Sequence, residues 1–219
     1  AKTLKEVVSK SVPHQVDSDD PTVLFNLTEK HGVKYLFVIN DKRTYDDRVG
    51  KYKGIMEKLI PQTVNVRLHD QKGTTLVAYD MLKRKALPVT LKDAVATFPV
   101  ELDALGGTMI ALYPTALKDL KISVPENAGL GETSTVKVSF RDENGRLVKG
   151  LQPVRIDIVD PKGHVHEDSN WIALENGEGK LSFTPAWNDP SGTWKIQVSD
   201  LTAGLSANAS LTLKPNSAQ

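Results

Sequence analysis

The chain has 219 residues, of which 39% are hydrophobic and 25% are charged, and its formal net charge is +1. This length allows one large or two ordinary domains, and the composition is typical of globular proteins. Because the net charge is near zero, no general electrostatic attraction to nucleic acid or to a membrane surface is expected. The lack of cysteine excludes disulfide scaffolds, thiolate metal sites and cysteine nucleophiles. No apolar run in the sequence approaches the roughly 20 residues that a membrane-spanning helix needs.

The beginning of the chain predicts a short N-terminal segment followed by a β-hairpin. Residues 3–11 (TLKEVVSKS) fit either a short amphipathic helix or a linker, and the polar residues 13–21 predict a loop. Strands are predicted over 23–28 and 33–39, with His31-Gly32 as the turn between them. The second strand (VKYLFVI) is the strongest in the chain, because β-branched and aromatic residues follow one another as in a buried central strand.

The charged run over 40–61 breaks this pattern and predicts a long connection without strands. Long ordered connections are often functional or face a partner, so residues 41–60 are the predicted surface for a neighbouring domain. Beyond this run, alternating apolar residues predict four further strands, over 63–68, 75–82, 94–102 and 108–113.

The last hundred residues predict a complete second β-sandwich. Short runs that alternate apolar and polar residues are separated by clusters of Gly, Pro, Asn and Asp, and Asn176-Gly177 indicates a tight hairpin turn. Seven short strands at this spacing are typical of an immunoglobulin-like sandwich. They are predicted over 120–124, 133–140, 153–159, 170–175, 178–184, 193–199 and 205–213.

Together these patterns predict an all-β chain of two tandem β-sandwich domains, the second of them immunoglobulin-like. The boundary is placed in the segment 114–119 (PTALKD). This gives a first domain over 1–117, with the short N-terminal helix or linker, and a second domain over 118–219.

The second half resembles the bacterial immunoglobulin-like and macroglobulin-like modules that are appended to large exported proteins. Two phrases carry the resemblance, VKVSFRDENGRLVKG over 136–150 and PAWNDPSGTWKIQVSDLTAGLSANASLTL over 185–213. The first is similar to a strand, a turn and a return strand, and the second to the turn and strand pair that closes many such domains. The resemblance implies a sandwich with Trp194 in its core, and it implies no ligand.

The first half is similar to the β-sandwich domains that follow the catalytic barrel in many glycoside hydrolases. The phrase GVKYLFVINDKRTY over 32–45 carries this similarity, together with the strand Gly107–Leu112. In that family the catalytic carboxylates lie on the barrel, so the resemblance assigns no catalytic residue to this chain.

The residue pattern predicts neither a catalytic site nor a bound cofactor. Glycosidase chemistry needs two carboxylates that face each other across a cleft, whereas Asp19-Asp20 and Asp46-Asp47 lie in predicted polar segments. No Gly-x-Ser-x-Gly elbow, phosphate-binding loop or dinucleotide fingerprint occurs. His164-x-His166 has a spacing that metals can use, but it follows a Pro-Lys-Gly turn and is expected to be exposed, so no metal site is predicted.

The first candidate binding residues lie in the basic run of the long connection. Arg43 and Arg48 are interleaved there with Tyr45 and Tyr52. Because acidic neighbours dilute this positive charge, an interface with a neighbouring domain or a protein partner is favoured over a nucleic-acid site.

The other candidates are tryptophans of the second half. Trp194 alternates with Ile196 and Val198 and is predicted to lie in the core. A flat ring can stack on the apolar face of a pyranose, so Trp171 and Trp187 are the candidates for contact with a glycan, although packing is the favoured interpretation for both.

These observations favour a non-catalytic accessory tail of a larger carbohydrate-processing protein, which braces or presents a neighbouring domain. The parent is expected to be bacterial, exported, and extracellular or periplasmic. A stand-alone carbohydrate-binding or adhesion module is the first alternative, and exposure of Trp171 and Trp187 on one face would favour it. The second alternative is a hydrolase with a site between the sandwiches, which would need groups from both halves, such as Asp41 and His164, to converge.

Overall fold

The computed structural model describes residues 14–49, 54–71 and 75–215, and every helix or strand assigned in these ranges is a β-strand. The all-β prediction is therefore confirmed, whereas the helix or linker predicted at 3–11 lies outside the described residues. In chain order the strands are β1 (Val16–Ser18), β2 (Val23–Lys30), β3 (Val33–Asn40), β4 (Arg43–Val49), β5 (Gly54–Leu59), β6 (Gln62–Leu68), β7 (Val77–Asp80), β8 (Lys85–Leu87), β9 (Thr90–Lys92), β10 (Val95–Leu102), β11 (Gly107–Tyr113), β12 (Leu117–Ser123), β13 (Asn127–Gly129), β14 (Ser134–Asp142), β15 (Leu151–Val159), β16 (Asn170–Glu175), β17 (Glu178–Phe183), β18 (Gly192–Asp200) and β19 (Ser206–Lys214).

The chain divides into two compact units, which we call the first and the second unit. The predicted domain limits at residues 117 and 118 stay a prediction. The first unit comprises Ala1–Glu29, Lys34–Asp80 and Ala86–Pro114, and the second comprises Lys30–Val33, Met81–Lys85 and Thr115–Gln219.

The first unit contains two larger sheets, in the orders β1-β6-β10-β9 and β2-β3-β11-β7-β8. In most of their long strands alternate residues are buried, because successive side chains point to opposite faces and one face is packed. The end of β11 differs, because Ile110, Ala111, Leu112 and Tyr113 are all buried. The buried rows form one apolar cluster that draws on both sheets, with Val38 and Ile110 from one and Val66 and Phe98 from the other.

Two segments that were predicted to be loops contain strands, so both predictions are wrong. Residues 40–61 hold the antiparallel hairpin β4–β5, and Val16–Ser18 in the predicted loop 13–21 pairs with β6 as an edge strand. The sequences RTYDDRV and VDS have no alternating apolar row. Strands of this kind are held by backbone pairing, which a side-chain pattern does not report.

A buried asparagine at the end of β3 connects three segments of the first unit. Asn40 is 2% exposed, and its Nδ2 donates hydrogen bonds to the carbonyl oxygens of Ile60 (2.9 Å) and Asp103 (2.8 Å). Its Oδ1 accepts from the backbone amide of Lys42 (3.0 Å) and from Nε2 of Gln62 (2.8 Å). Both donors and both acceptor positions of this amide are thus satisfied, as the burial of a polar group requires.

The second unit has eight strands in the hydrogen-bonded order β12-β14-β17-β16-β15-β18-β19-β13. Neighbouring strands are antiparallel except at one edge, where β13 runs parallel to β19 from Asn127↔Thr212 to Gly129↔Lys214. The inward rows are apolar and buried, as the alternation of the sequence predicted. The fold is the predicted immunoglobulin-like sandwich.

The backbone angles of the turn between β16 and β17 explain why its Asn-Gly sequence predicted a hairpin. Asn176 and Gly177 have φ angles of 51° and 81°, the left-handed conformation that a two-residue hairpin turn needs at both positions. A Cβ atom at Gly177 would lie 2.8 Å from the carbonyl oxygen of Phe140, so a larger residue does not fit. The hairpin prediction is confirmed.

Trp194 is at the centre of the second core, as predicted. Its side chain is fully buried, and its Nε1 donates to the carbonyl oxygen of Pro190 at 2.9 Å. The indole stacks on Phe183, with ring centroids 6.4 Å apart and an interplanar angle of 27°. The buried ring therefore has a partner for its one polar group, which removes the cost of desolvating it.

A carboxylate organises the turn after β14. Oδ1 of Asp142 accepts from the backbone amides of Asn144 and Arg146, both at 2.9 Å, and Oδ2 accepts from the Thr115 hydroxyl at 3.0 Å. Burial by itself would raise the pKa of this carboxyl group, but these hydrogen bonds to the charged form outweigh burial and hold the pKa below its ordinary value of 3.8.

We expect Asn40→Ala to lower the free energy of unfolding by about 2–4 kcal/mol, because it removes four hydrogen bonds of a part-buried network, among them those of the Lys42 amide and the Ile60 carbonyl. Urea titration followed by tryptophan fluorescence and circular dichroism measures this change. Asn26→Ala, on the exposed side of β2, is the control and should change stability by less than about 0.5 kcal/mol. Equal losses in the two variants would contradict the role of Asn40.

We expect Asp142→Asn to lower the melting temperature at pH 7 and to have a smaller effect at acidic pH. A carboxyl group whose pKa is lowered by folding stabilises the protein above its unfolded-state pKa, and this contribution disappears as pH falls through the folded-state value. Melting curves between pH 7 and pH 2 test the prediction, with exposed Glu126→Gln as the control. A difference in melting temperature that is independent of pH would rule out this electrostatic explanation.

Candidate functional site

The outward side of β15, β18 and β19 in the second unit is polar. Their inward row is apolar, and residues such as Ile156, Trp194 and Ile196 are fully buried. The intervening residues therefore face solvent. Arg155 on β15 lies opposite Ser199 on β18, and this row continues onto β16, where Trp171 is the partner of Arg155 in the strand register.

Trp171 and two charged side chains form the centre of this surface. The indole is 56% exposed, and the Arg155 guanidinium carbon lies 5.1 Å from the ring centroid, in a cation–π arrangement. Nε of Arg155 also donates to Oδ1 of Asp157 at 2.8 Å. The guanidinium is thus held by an aromatic face on one side and a carboxylate on the other, which limits its rotamers and those of the ring.

Amide and hydroxyl side chains continue the same surface across two further strands. In the register, Gln197 lies opposite Asp157, and Asn208 lies opposite Gln197. Neighbouring strands are about 4.8 Å apart, so the surface from β16 to β19 extends over about 14 Å. We call it the Trp171 face, and it consists of Trp171, Arg155, Asp157, Gln197, Ser199 and Asn208.

The Trp171 face combines one exposed flat ring with several hydrogen-bond donors and acceptors. The ring can stack on the apolar face of a sugar, while carboxylate, guanidinium and amide groups can bind its hydroxyls. These are groups that can form a binding surface.

Trp187 has a different setting from Trp171. It lies in the turn between β17 and β18 and is 70% exposed. Its ring covers Gly131, where an added Cβ atom would lie only 2.6 Å from the indole. The prediction that both tryptophans are packed is wrong, because Trp187 lies in a turn and Trp171 lies on the outward side of β16, where no second layer of the described residues covers it. Trp187 is not among the outward residues of the strands that form the Trp171 face.

The basic hairpin is only partly described. Arg43, at 41% side-chain exposure, pairs with Asp41 and donates from Nη1 to Oε2 of Glu57 at 2.8 Å. These two carboxylates, Asp41 foremost, raise the pKa of Arg43 and compensate its charge. Tyr45 and Arg48 lie on β4, and Tyr52 lies outside the described residues. The predicted binding role of these four residues stays a prediction.

The two histidines of the His-x-His motif have separate environments. His164 is 76% exposed, and its Nδ1 lies 3.2 Å from Oδ2 of Asp160. His166 is only 11% exposed, packs its ring 5.3 Å from that of Trp194, and places Nε2 3.4 Å from Oδ2 of Asp189. The expectation that both are exposed is thus wrong for His166. Among the described residues, no group of three or more acidic or histidine side chains could hold a metal ion.

Sequence reasoning singled out Trp171 but missed the residues around it. Arg155 and Asp157 alternate with buried isoleucines in RIDI, and Gln197 alternates in the same way in KIQV. The alternation could have identified them as outward-facing. Their convergence on Trp171 depends on the pairing of β15 with β16 and β18, which the sequence does not reveal.

Within the ranges that the structure covers, no helix is long and apolar enough to cross a membrane.

A family model described as "MG2 domain" matches residues 130–212, which confirms the predicted macroglobulin-like resemblance of the second half. No curated protein matches the chain at a significant level.

Solved structures with low similarity to the chain include the Yersinia pseudotuberculosis adhesin InvE, with 13% identity and a TM-score of 0.37 over 70% of this chain and 54% of that one. The Listeria innocua β-glucosidase in complex with glucose has 16% identity and a TM-score of 0.31 over 44% of this chain and 16% of that one. Domains 4 and 5 of the S-layer protein SbsC have 10% identity and a TM-score of 0.31 over 91% of this chain and 98% of that one. The chain thus spans about half of the adhesin and about a sixth of the glucosidase.

Proposed function

We propose that this chain is a non-catalytic accessory part of a larger exported protein and that its first unit packs against a neighbouring domain of that protein. The observation that carries the proposal is an apolar strip on the outward side of β2, β3 and β11, which we define as Leu24, Phe37, Ile39 and Met109. MG2 domains are modules of larger proteins, which supports a position beside other domains. The proposed parent is bacterial and carbohydrate-processing.

The apolar strip is made of large side chains on neighbouring strands. Leu24, Phe37 and Ile39 are 53%, 40% and 49% exposed. In the register of β3 with β11, Phe37 lies opposite Met109 and Ile39 lies opposite Gly107, which has no side chain to cover it. Clustered apolar side chains on a solvent-facing sheet mark a contact surface, whereas single ones do not.

The small size of the strip favours a neighbouring domain over a second copy of the chain. A stable interface between separate proteins buries about 800 Å² on each partner, which is more than four side chains supply. A domain of the same polypeptide is held at high effective concentration by the chain itself, so a smaller contact is sufficient.

The acidic groups of the chain support a non-catalytic role, because several of them serve as local acceptors. Oδ2 of Asp20 accepts from Nζ of Lys42 at 2.7 Å, and Oδ1 accepts from the Thr22 amide and hydroxyl. The bond from Lys42 is the largest cause that lowers the pKa of Asp20 to about 2. Such a carboxylate is a poor proton donor or acceptor near neutral pH.

We expect Phe37 and Met109 to react severalfold more slowly with hydroxyl radicals in the full native polypeptide than in the isolated chain. The neighbouring domain would cover the strip and exclude the radical. Oxidative footprinting with mass spectrometry measures both side chains in one experiment, with exposed Trp187 as the internal reference. Equal oxidation of Phe37 in the two samples would refute the docking proposal. Protection of other surfaces without protection of Phe37 would show that the neighbouring domain contacts the chain at another place.

A second candidate function is binding of a neutral glycan, and the Trp171 face favours it. The face presents an exposed indole beside a fixed guanidinium–carboxylate pair, which are the groups that stack on a pyranose and bind its hydroxyls. This function is compatible with an accessory role, because a module that holds a polysaccharide can keep a neighbouring domain at its substrate. It is equally compatible with a stand-alone adhesion module.

We expect Trp171→Ala to weaken glycan binding roughly tenfold through loss of the stacking contact. Affinity electrophoresis in gels that contain soluble β-glucan, xyloglucan or galactomannan measures retardation of the chain directly. Trp187→Ala is the matched control, since it removes an equally exposed indole from another part of the second unit and should retain binding. Identical retardation of wild type and Trp171→Ala, or no retardation by any of the three polymers, would refute this candidate function.

A further inference from the structure

Three lysines share the outward side of β12, β14 and β17 in the second unit. Lys137 on β14 lies directly opposite Lys180 on β17. Lys121 on β12 lies opposite Ser139, two residues along β14 from Lys137 and on the same face. All three lysines are exposed. The pairing of distant segments thus concentrates positive charge on a unit whose sequence shows no basic run there.

The pairing of Lys137 with Lys180 is unfavourable for the isolated fold. Like charges directly opposite each other on antiparallel strands are destabilising. Among the described residues, no carboxylate lies within ion-pair distance of either ammonium group, whereas Lys121 pairs with Asp119 at 2.9 Å. Glu178 lies opposite Ser139 on β17 and also lines this surface, but it forms no ion pair with either lysine. Two adjacent ammonium groups are therefore available to an external anion.

The lysines line a groove and not a flat surface. The groove has a volume of about 590 Å³ and includes hydroxyl groups from Ser123 and Ser139 beside the ammonium groups. A second hollow adjoins it, since it also involves Ser123, Lys137 and Lys180 and extends past Thr135. The two hollows share Ser123, Lys137 and Lys180 and together form one open, shallow groove across the three strands. We call it the lysine groove, and it consists of Lys121, Lys137, Lys180, Ser123, Ser139 and Thr135.

We propose that the lysine groove binds an acidic polysaccharide. The ammonium groups would pair with carboxylate or sulfate groups of the polymer, and the serine and threonine hydroxyls would bind its sugar hydroxyls. A polymer matches the groove better than a single anion, because the charges are distributed over three strands. No aromatic residue lines the groove, so it lacks the stacking platform on which proteins bind single-stranded nucleic acid.

This site is separate from both surfaces described above. It involves neither the apolar strip of the first unit nor any member of the Trp171 face. Its ligand is recognised by charge, whereas the ligand of the Trp171 face is neutral and is recognised by stacking. Binding of acidic and of neutral glycans can therefore be measured in parallel on the same variants, and the loss of one without the other would be detected.

The test is binding of fluorescein-labelled heparin and polygalacturonate to the full chain, measured by fluorescence anisotropy at low and at high salt. We expect Lys137→Ser/Lys180→Ser to weaken binding of at least one polymer about tenfold at low salt. The difference should shrink at high salt, where ionic screening weakens exposed pairs. Heparin presents sulfate as well as carboxylate groups, and polygalacturonate presents only carboxylate groups, so binding of heparin alone would identify sulfate as the preferred anion.

The matched control is Lys149→Ser/Lys162→Ser, which removes the same charge from exposed positions in two turns. It should change the affinity by less than about twofold. Equal weakening by the two lysine pairs would overturn the proposal, because it would reflect net charge alone. Tighter binding of a single-stranded oligonucleotide, or no binding of either polysaccharide by the wild-type chain, would also overturn it. Circular dichroism confirms that each variant is folded.

Discussion

Each long strand has two rows of side chains, and in most of these strands only one row is buried in the core of the unit. The rest of the structure depends on this division. The inward rows hold the apolar residues, from Val38 and Phe98 in the first unit to Ile156 and Trp194 in the second. Because burial of these rows supplies the main driving force for folding, the outward rows are free to differ. They are apolar on one face of the first unit, mixed polar and aromatic around Trp171, and basic in the lysine groove. One architecture thus presents three surfaces of different chemistry.

Several polar side chains with little solvent exposure form hydrogen bonds mainly with the backbone. Asn40 satisfies all its hydrogen-bonding positions between three chain segments, and Asp142 accepts two turn amides and a hydroxyl. Asp160 likewise accepts the amides of Lys162 and His164. Burial would raise the pKa of the Asp160 carboxyl, but these bonds and the His164 side chain lower it. In an all-β protein with many turns, side-chain acceptors of this kind take the place of water for backbone groups that no strand can pair.

The sequence predicts most of the fold because most strands have one apolar row. The run VATFPVEL of β10 and the run LQPVRIDIV of β15 show this alternation without interruption. Strand β1 and the hairpin β4–β5 lack it, so the side-chain pattern does not predict them. The site is less predictable, because it depends on pairing. Trp194 could be placed from the alternation of its own strand, whereas the environment of Trp171 is set by Arg155, which lies sixteen positions earlier on another strand. The lysine groove likewise combines three strands that are distant in sequence.

The parallel contact of β13 with β19 gives the second unit a mechanical property. Three residue pairs join these strands, and the amides of Thr212 and Leu130 extend the contact to the carbonyls of Glu126 and Lys214. In two parallel strands, the beginning of one and the end of the other lie at opposite ends of the pair. A pulling force applied to the chain before β13 and after β19 therefore acts along the strands and loads all the hydrogen bonds in shear at once. An antiparallel hairpin pulled at its open end would lose them one at a time. Tension between these two points would thus load the hydrogen bonds of this edge together.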